Sequence, residues 1–268
     1  RNNLKFHWKD DVFVENEDDY HLKIRREIEH RIFGRGKEKR AVLVFFESAK
    51  RLNECLESKV FQDFRDQVEV LTEEAHPQER DMRIRQATSS GQITFLTKTF
   101  GRGTDFICQD ERVEKNDGIH VIQTFVSEEF SEEVQIRGRT ARQGKYGSYS
   151  LVLLDSSLEK FLIKKEDLED VKKGKSIAVK VFSAKDKSLA NTIFGVFSGG
   201  DKKYDTIYEL IHERRNELFE SQFGENEKFV KAAKAYHDKS LAFLKALHSS
   251  DMNVIKNFLV AENAGVSE

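Results

Sequence analysis

Three arginines and two glycines fall within the ten residues QIRGRTARQG at 135–144: Arg137, Arg139 and Arg142, with Gly138 and Gly144. Read as a helix, at about 100° per residue, Gln135, Arg139 and Arg142 point within roughly 60° of one another. Two guanidiniums brought that close are costly unless an anion sits between them or water screens them. Phosphate is the natural guest, because the planar arginine fork matches its oxygens. Gly138 removes bulk beside the arginines and lets a partner approach the backbone. The plain alternative is a solvated basic helix face. The adjoining glycines and the strand-like run that follows weigh against it.

A second group lies upstream in KTFGRGTDF at 98–106. It follows the strand-like ITFLT. Gly101 and Gly103 permit a tight turn where ligands gather in open α/β sheets, beside the carboxyl ends of strands. Arg102 lies between them. Thr104 offers a hydroxyl, and Asp105 offers acceptors for ribose hydroxyls or for an arginine. Taken alone, the stretch also fits an ordinary strand-to-helix turn.

The elements that must hold these groups alternate. AVLVFF (41–46), QVEVLT (67–72), ITFLT (93–97), IHVIQTF (119–125) and YSLVLL (149–154) read as buried strands. Between them, SAKRLNECLES reads as a helix capped by Ser48, with Leu52, Cys55 and Leu56 on one face. A further helix is expected near 78–87, with Pro77 in its first turn. DDYHLKIRREIEHRIFG (18–34) reads as a helix with Leu22, Ile24, Ile28 and Ile32 as its apolar positions. Short apolar strands alternating with helices predict an α/β fold, a parallel sheet covered on both faces.

Beyond about residue 185 the pattern turns helical. One helix is expected over 204–220, with Ile207, Tyr208, Ile211 and Leu218 at helical spacing. A second is expected over 225–250, with Phe229, Ala233, Tyr236, Ser240, Phe243 and Leu247 in one stripe, and a third over 252–260. FSGGDKK (197–203) reads as a loop and SIAVKVFSA (176–184) as an extra strand. The expected organisation is a lead-in linker over 1–17, the α/β domain over 18–165, a connector over 166–202 and a helical region over 203–268.

Composition narrows the function classes. The 268 residues carry a net charge of −2, so no uniformly basic coat for nucleic acid is present. Two cysteines, Cys55 and Cys108, exclude a disulfide framework and a CxxC metal site, and fit a reducing compartment. No metal ligand set is expected. No apolar run is long enough to span a bilayer, and no stretch reads as a signal peptide. Arg1 in place of a methionine reads as the start of an excised piece.

Together, GRGTD and QIRGRTARQG resemble motifs V and VI of the superfamily 2 helicase-like ATPases, and within them the SecA family, whose second RecA-like domain reads GRGTD followed by QLRGRSGRQGD. VLVFFESAKRLNECLES is similar to that family's motif IV strand and helix. HPQERDMRIRQA, DGIHVIQTF and DDVFVENEDDYHLKIRREI are similar to its flanking segments. The resemblance covers about residues 10–162 and implies a RecA-like sheet. It implies that Arg142 is an arginine finger for the γ-phosphate and Arg139 a second phosphate or interdomain contact. Gln135 would position the phosphate or the attacking water, and Asp105 would meet the ribose or a motif VI arginine. Gly101, Arg102, Gly103 and Thr104 would form the motif V loop that links nucleotide to substrate. Two positions depart from the family. Ala141 stands where it has glycine, expected to stiffen the helix slightly, and Lys145 replaces an acid, which reverses a charge and puts a local salt bridge in doubt.

The resemblance also implies ATP or ADP with Mg²⁺, a first RecA-like half that holds them, a polypeptide substrate, and work in the cytoplasm or at the periphery of a membrane. YDTIYELIHERRNELFE is similar to part of the family's long scaffold helix. A phosphate-cradling Walker loop is absent: GKS at 174–176 has Glu169 where the loop demands glycine. DDYH at 18–21 imitates an acidic metal-holding box but reads better as an acid-rich helix start. The chain alone is therefore not expected to hydrolyse ATP. A nucleic-acid helicase half and a non-catalytic scaffold that keeps the fold remain the alternatives.

Overall fold

The computed structural model describes residues 3–33, 38–178 and 201–249, with 252, 253, 255, 256 and 260 beyond them. Seven strands form one parallel sheet: β1 (Asn3–Lys5), β2 (Val12–Glu15), β3 (Val42–Phe46), β4 (Val68–Leu71), β5 (Ile93–Thr97), β6 (Ile119–Gln123) and β7 (Tyr146–Leu154). The order across the sheet is β1-β7-β6-β3-β5-β4, with β2 alongside the second half of β7. β3 is buried at all five positions, as expected for a strand covered on both faces. The strands β1 and β2, which both flank β7 at one edge of the sheet, come from the segment read as a linker. They are three and four residues long, too short for their pattern to stand out. β7 starts three residues before the expected strand, because Tyr146, Gly147 and Ser148 pair with β1.

Helices cover both faces. On one lie α1 (Glu17–Ile32) and α2 (Ala49–Glu57), whose Ile24, Ile28, Leu52 and Cys55 pack with Val42, Val44 and Phe46. On the other, the Phe45 ring meets Phe106 at 6.5 Å between centroids. Ser48 caps α2 by accepting from the Arg51 amide at 3.3 Å. Asn16 caps α1 through the Asp18 and Asp19 amides, so DDYH is an acidic first turn. Leu22 of that helix is only partly buried, while Tyr20 takes the core position and donates to the Thr124 carbonyl at 2.7 Å. Further helices are α3 (Pro77–Gln86), with Pro77 in its first turn, α4 (Glu111–Lys115), α5 (Phe130–Arg137) and α6 (Lys165–Lys172).

Two expectations are corrected. Residues 201–203 are not a loop: β9 (Asp201–Lys203) pairs antiparallel with β8 (Ser176–Ala178). The remainder of both 176–184 and 197–203 lies outside the described residues. The two separate helices expected between 204 and 250 are one helix, Ile207–Ser249. Gly224 does not interrupt it, because a single glycine costs a helix only about 1 kcal/mol. Within 252–260, the described residues are helical. The sheet and the long helix as far as Asn216 belong to one compact unit, and the helix from Glu217 belongs to a second. GKS at 174–176 follows α6 and runs into β8, whose first residue is Ser176. No described helix is long and apolar enough to cross a membrane.

Candidate functional site

Sequence spacing placed Gln135, Arg139 and Arg142 on one helix face. The structure does not. α5 ends at Arg137, with Gly138 as its C-cap, and the chain turns out of the helix before Arg139. The two arginines then fold back onto the helix end. Arg139 donates from Nε to the Gln135 carbonyl at 3.0 Å and Arg142 from Nε to the Gly138 carbonyl at 2.8 Å. These carbonyls lie in the last turn, where intrahelical partners run out and positive charge is favoured. Convergence survives for Arg139 and Arg142 but not for the Gln135 side chain, and helix termination produces it, not helical periodicity.

The turn is made at Ala141, which has φ +55°, in the left-handed region. The expected stiffening of a helix by this alanine is thus overturned, since no helix runs there. A side chain in that conformation costs about 1–2 kcal/mol, and glycine avoids the cost.

The second motif meets the first here. After β5, a short 3₁₀ turn over Lys98–Gly101 leads into an extended segment. Arg139 Nη1 donates to the Thr104 carbonyl, and Arg142 Nη1 pairs with the Asp105 carboxylate. Arg139 is only 7% exposed. Burial first, then the neighbouring Arg142 charge, pulls its pKa below the ordinary guanidinium value, with Asp105 opposing. The Arg142 and Asp105 side chains remain 39% and 56% exposed. Gly103 has φ +68° and open space where a Cβ would stand. Gly101 is packed instead: a Cβ there would meet Ile136 Cγ1 at 2.5 Å. Arg102 reaches Glu129 at 3.3 Å. Gln135 keeps an exposed side chain.

Lys145, the reversed charge, has found new partners. Its Nζ donates to the Cys108 carbonyl at 2.8 Å and pairs with Glu114. Arg139, Arg142 and Lys145 line a pocket of about 120 Å³ with Asp105, Cys108 and Glu114. Burial pushes the Cys108 thiol up, so it stays a thiol at neutral pH. Sequence reasoning missed Ile136, Glu129, Glu133 and Glu114. Ile136, Glu133 and Glu114 are ordinary helix residues and Glu129 is the N-cap of α5, and only packing gives each its role.

The chain is similar to known proteins over part of its length. The chain is 38% identical over 105 residues to protein translocase subunit SecA 2 of Bacillus thuringiensis (strain Al Hakam), covering 39% of this chain. It is 28% identical over 171 residues to protein translocase subunit SecA of Sulfurimonas denitrificans, covering 58% of this chain. Over those stretches the chain is SecA-like. The SecA-like chain spans 13% and 19% of the length of those two relatives. No protein-family profile matches it. Among solved structures, the C-terminal domain of the DEAD-box protein Dbp5 superposes with a TM-score of 0.40 at 16% identity, over 64% of this chain and 96% of that one. In this SecA-like domain, the motif V and motif VI segments are in direct contact.

Proposed function

We propose that the chain is the second motor half of a SecA-like, ATP-driven machine that moves polypeptide. In this reading Arg142 is the arginine finger, and Arg139 and Gln135 are its phosphate-facing neighbours. Gly101, Arg102, Gly103, Thr104 and Asp105 form the loop that passes nucleotide state to substrate, and Gly138 supplies the helix end on which the finger rests. One observation carries the reading: the Arg142 side chain is partly exposed and, besides its bond to the Gly138 carbonyl, pairs with the carboxylate of Asp105, two residues from the open backbone of Gly103. A guanidinium in that position can exchange a carboxylate for phosphate oxygens with little rearrangement.

ATP with Mg²⁺, held by a first RecA-like half, supplies the γ-phosphoryl group that is transferred to water. The guanidiniums of this chain match phosphate oxygens in shape and charge. Among the described residues no group of three His, Cys, Asp or Glu could hold an ion. The task left to the chain is to bring positive charge to the oxygens that become more negative in the transition state. The net charge of −2 favours a polypeptide over nucleic acid, which would draw on a broad basic surface. In the same reading residues 18–165 are the motor, 166–202 the connector and 203–268 a scaffold-like helical region, working in the cytoplasm or at a membrane's periphery.

The test joins this chain to a first RecA-like half and measures ATP hydrolysis. Arg142→Ala is expected to lower kcat by roughly 10³–10⁵-fold, the range for removing such a finger, with little change in thermal stability. A joined protein whose kcat is indifferent to that substitution rejects the assignment.

A further inference from the structure

Glu133 is an acid the phosphate site does not use, and it is nearly inaccessible. Its side chain is 2% exposed, and that of its partner Arg215 is 1% exposed. Glu133 Oε2 accepts from Arg215 Nη1 at 2.7 Å, while Oε1 accepts from Tyr208 Oη at 2.5 Å. Tyr208 and Arg215 are seven residues apart on the long helix, two turns along one face. One carboxylate on α5 thus grips the long helix at two points. Arg215 adds to the hold: it donates to the Ser127 carbonyl at 3.4 Å and lies 5.0 Å from the centre of the Phe130 ring. His212, between the two grips, packs on Phe130 at 4.9 Å.

The same short helix is held elsewhere by the motif V turn. Ile136 fills the space that a Cβ on Gly101 would take, and Glu129 pairs with Arg102. The last carbonyls of α5 carry the Nε donors of Arg139 and Arg142. α5 therefore touches the glycine turn, the arginine loop and the long helix. Only eight residues long, it cannot shift at one of these contacts without shifting at the others.

We infer that Glu133 is a positioning residue: through α5 it couples the setting of the long helix to that of the loop bearing Arg139 and Arg142. Its consequence for catalysis rests on the proposed role of that loop, but the linkage is testable without nucleotide. The experiment follows amide hydrogen exchange over residues 139–145 in the intact chain, together with the Nε–H resonances of Arg139 and Arg142. Tyr208→Phe removes one grip and keeps the ring. Tyr20→Phe is the control, because its hydroxyl also makes a buried bond, to Thr124, that does not involve α5.

Exchange over 139–145 is expected to rise about tenfold in Tyr208→Phe, the effect of one buried hydrogen bond, with both arginine resonances displaced. Tyr20→Phe is expected to leave both unchanged. Equal effects from the two substitutions, or no effect from Tyr208→Phe, would overturn the inference. Glu133→Gln is expected to act in the same direction and more strongly; should it fail to fold, the tyrosine pair decides. If Arg142→Ala spares ATP hydrolysis while Tyr208→Phe still loosens the loop, the linkage stands and the nucleotide reading alone falls.

Discussion

Arg142 and Asp105, 37 residues apart in sequence, form an ion pair that closes the arginine loop onto the glycine turn. Both groups are substantially exposed, so the pair's contribution to stability is small, on the order of 0–1 kcal/mol. Its importance lies in where it holds the guanidinium. Asp105→Asn is expected to change the unfolding free energy by less than about 1 kcal/mol while strengthening binding of tripolyphosphate, read from the Arg142 Nε–H resonance. Weaker binding in that variant would show that Asp105 does not compete with phosphate for the arginine.

Ala141 occupies a left-handed conformation beside this pair. Ala141→Gly removes a steric cost of about 1–2 kcal/mol and adds roughly 0.5–1 kcal/mol of chain entropy to the unfolded state. The expected result is a net stabilisation of about 0.5–1 kcal/mol. A urea midpoint that falls instead of rising would contradict it.

Gly101 and Ile136 are in contact that leaves no room for a methyl group. Gly101→Ala is expected to destabilise the chain by about 1–3 kcal/mol through overpacking. Ile136→Val in the same chain should recover part of that loss. A double-mutant cycle with no coupling energy would mean the two residues do not press on each other in solution.

Lys145 and Glu114 can be exchanged. Lys145→Glu alone places two carboxylates together, at a cost of about 1 kcal/mol for partly exposed groups. The swap Lys145→Glu with Glu114→Lys should restore most of the stability. A swap as unstable as the single substitution would assign the loss to the Lys145 bond with the Cys108 carbonyl.

His120 gives the fold an acid limit. It is fully buried between the hydroxyls of Ser148 and Ser150, at 2.8 and 3.1 Å. Burial, then the Arg40 charge, holds its pKa well below the ordinary value. The unfolded chain takes up a proton near pH 6.5 that the folded chain refuses, so stability is present above that pH and is lost as pH falls. The slope for this one group approaches about 1.4 kcal/mol per pH unit. His21 and His212, also shifted down mainly by burial, act in the same direction. His120→Gln is expected to flatten the profile between about pH 6.5 and 5, followed by chemical denaturation. An unaltered slope would assign the acid sensitivity to other groups.

Most of the sheet was legible because β3, β5 and β6 are short apolar runs buried on both faces, a pattern that needs no partner information. Ser48, Pro77 and the acidic start of α1 marked helix ends through local chemistry alone. β1 and β2 were not legible, since each gains its strand character from pairing with β7. The break after Arg137 was also hidden: the cost of one glycine inside a helix, about 1 kcal/mol, is too small to force an end at Gly138, and nothing local requires Ala141 to turn left-handed.

The sequence by itself determined which charged groups the two segments bring, because GRGTD and QIRGRTARQG supply guanidiniums, a carboxylate and glycines in a recognisable order. It determined the parallel α/β class for the same reason, through composition and local period. Tertiary structure alone decided how those groups meet: that Arg142 rests on Asp105, that Lys145 turns to Glu114, and that Glu133 is clamped by Tyr208 and Arg215. Local pattern records a residue's own preferences. A contact between residues 75 or 82 positions apart depends on how separate elements pack, and no short stretch of sequence carries that information.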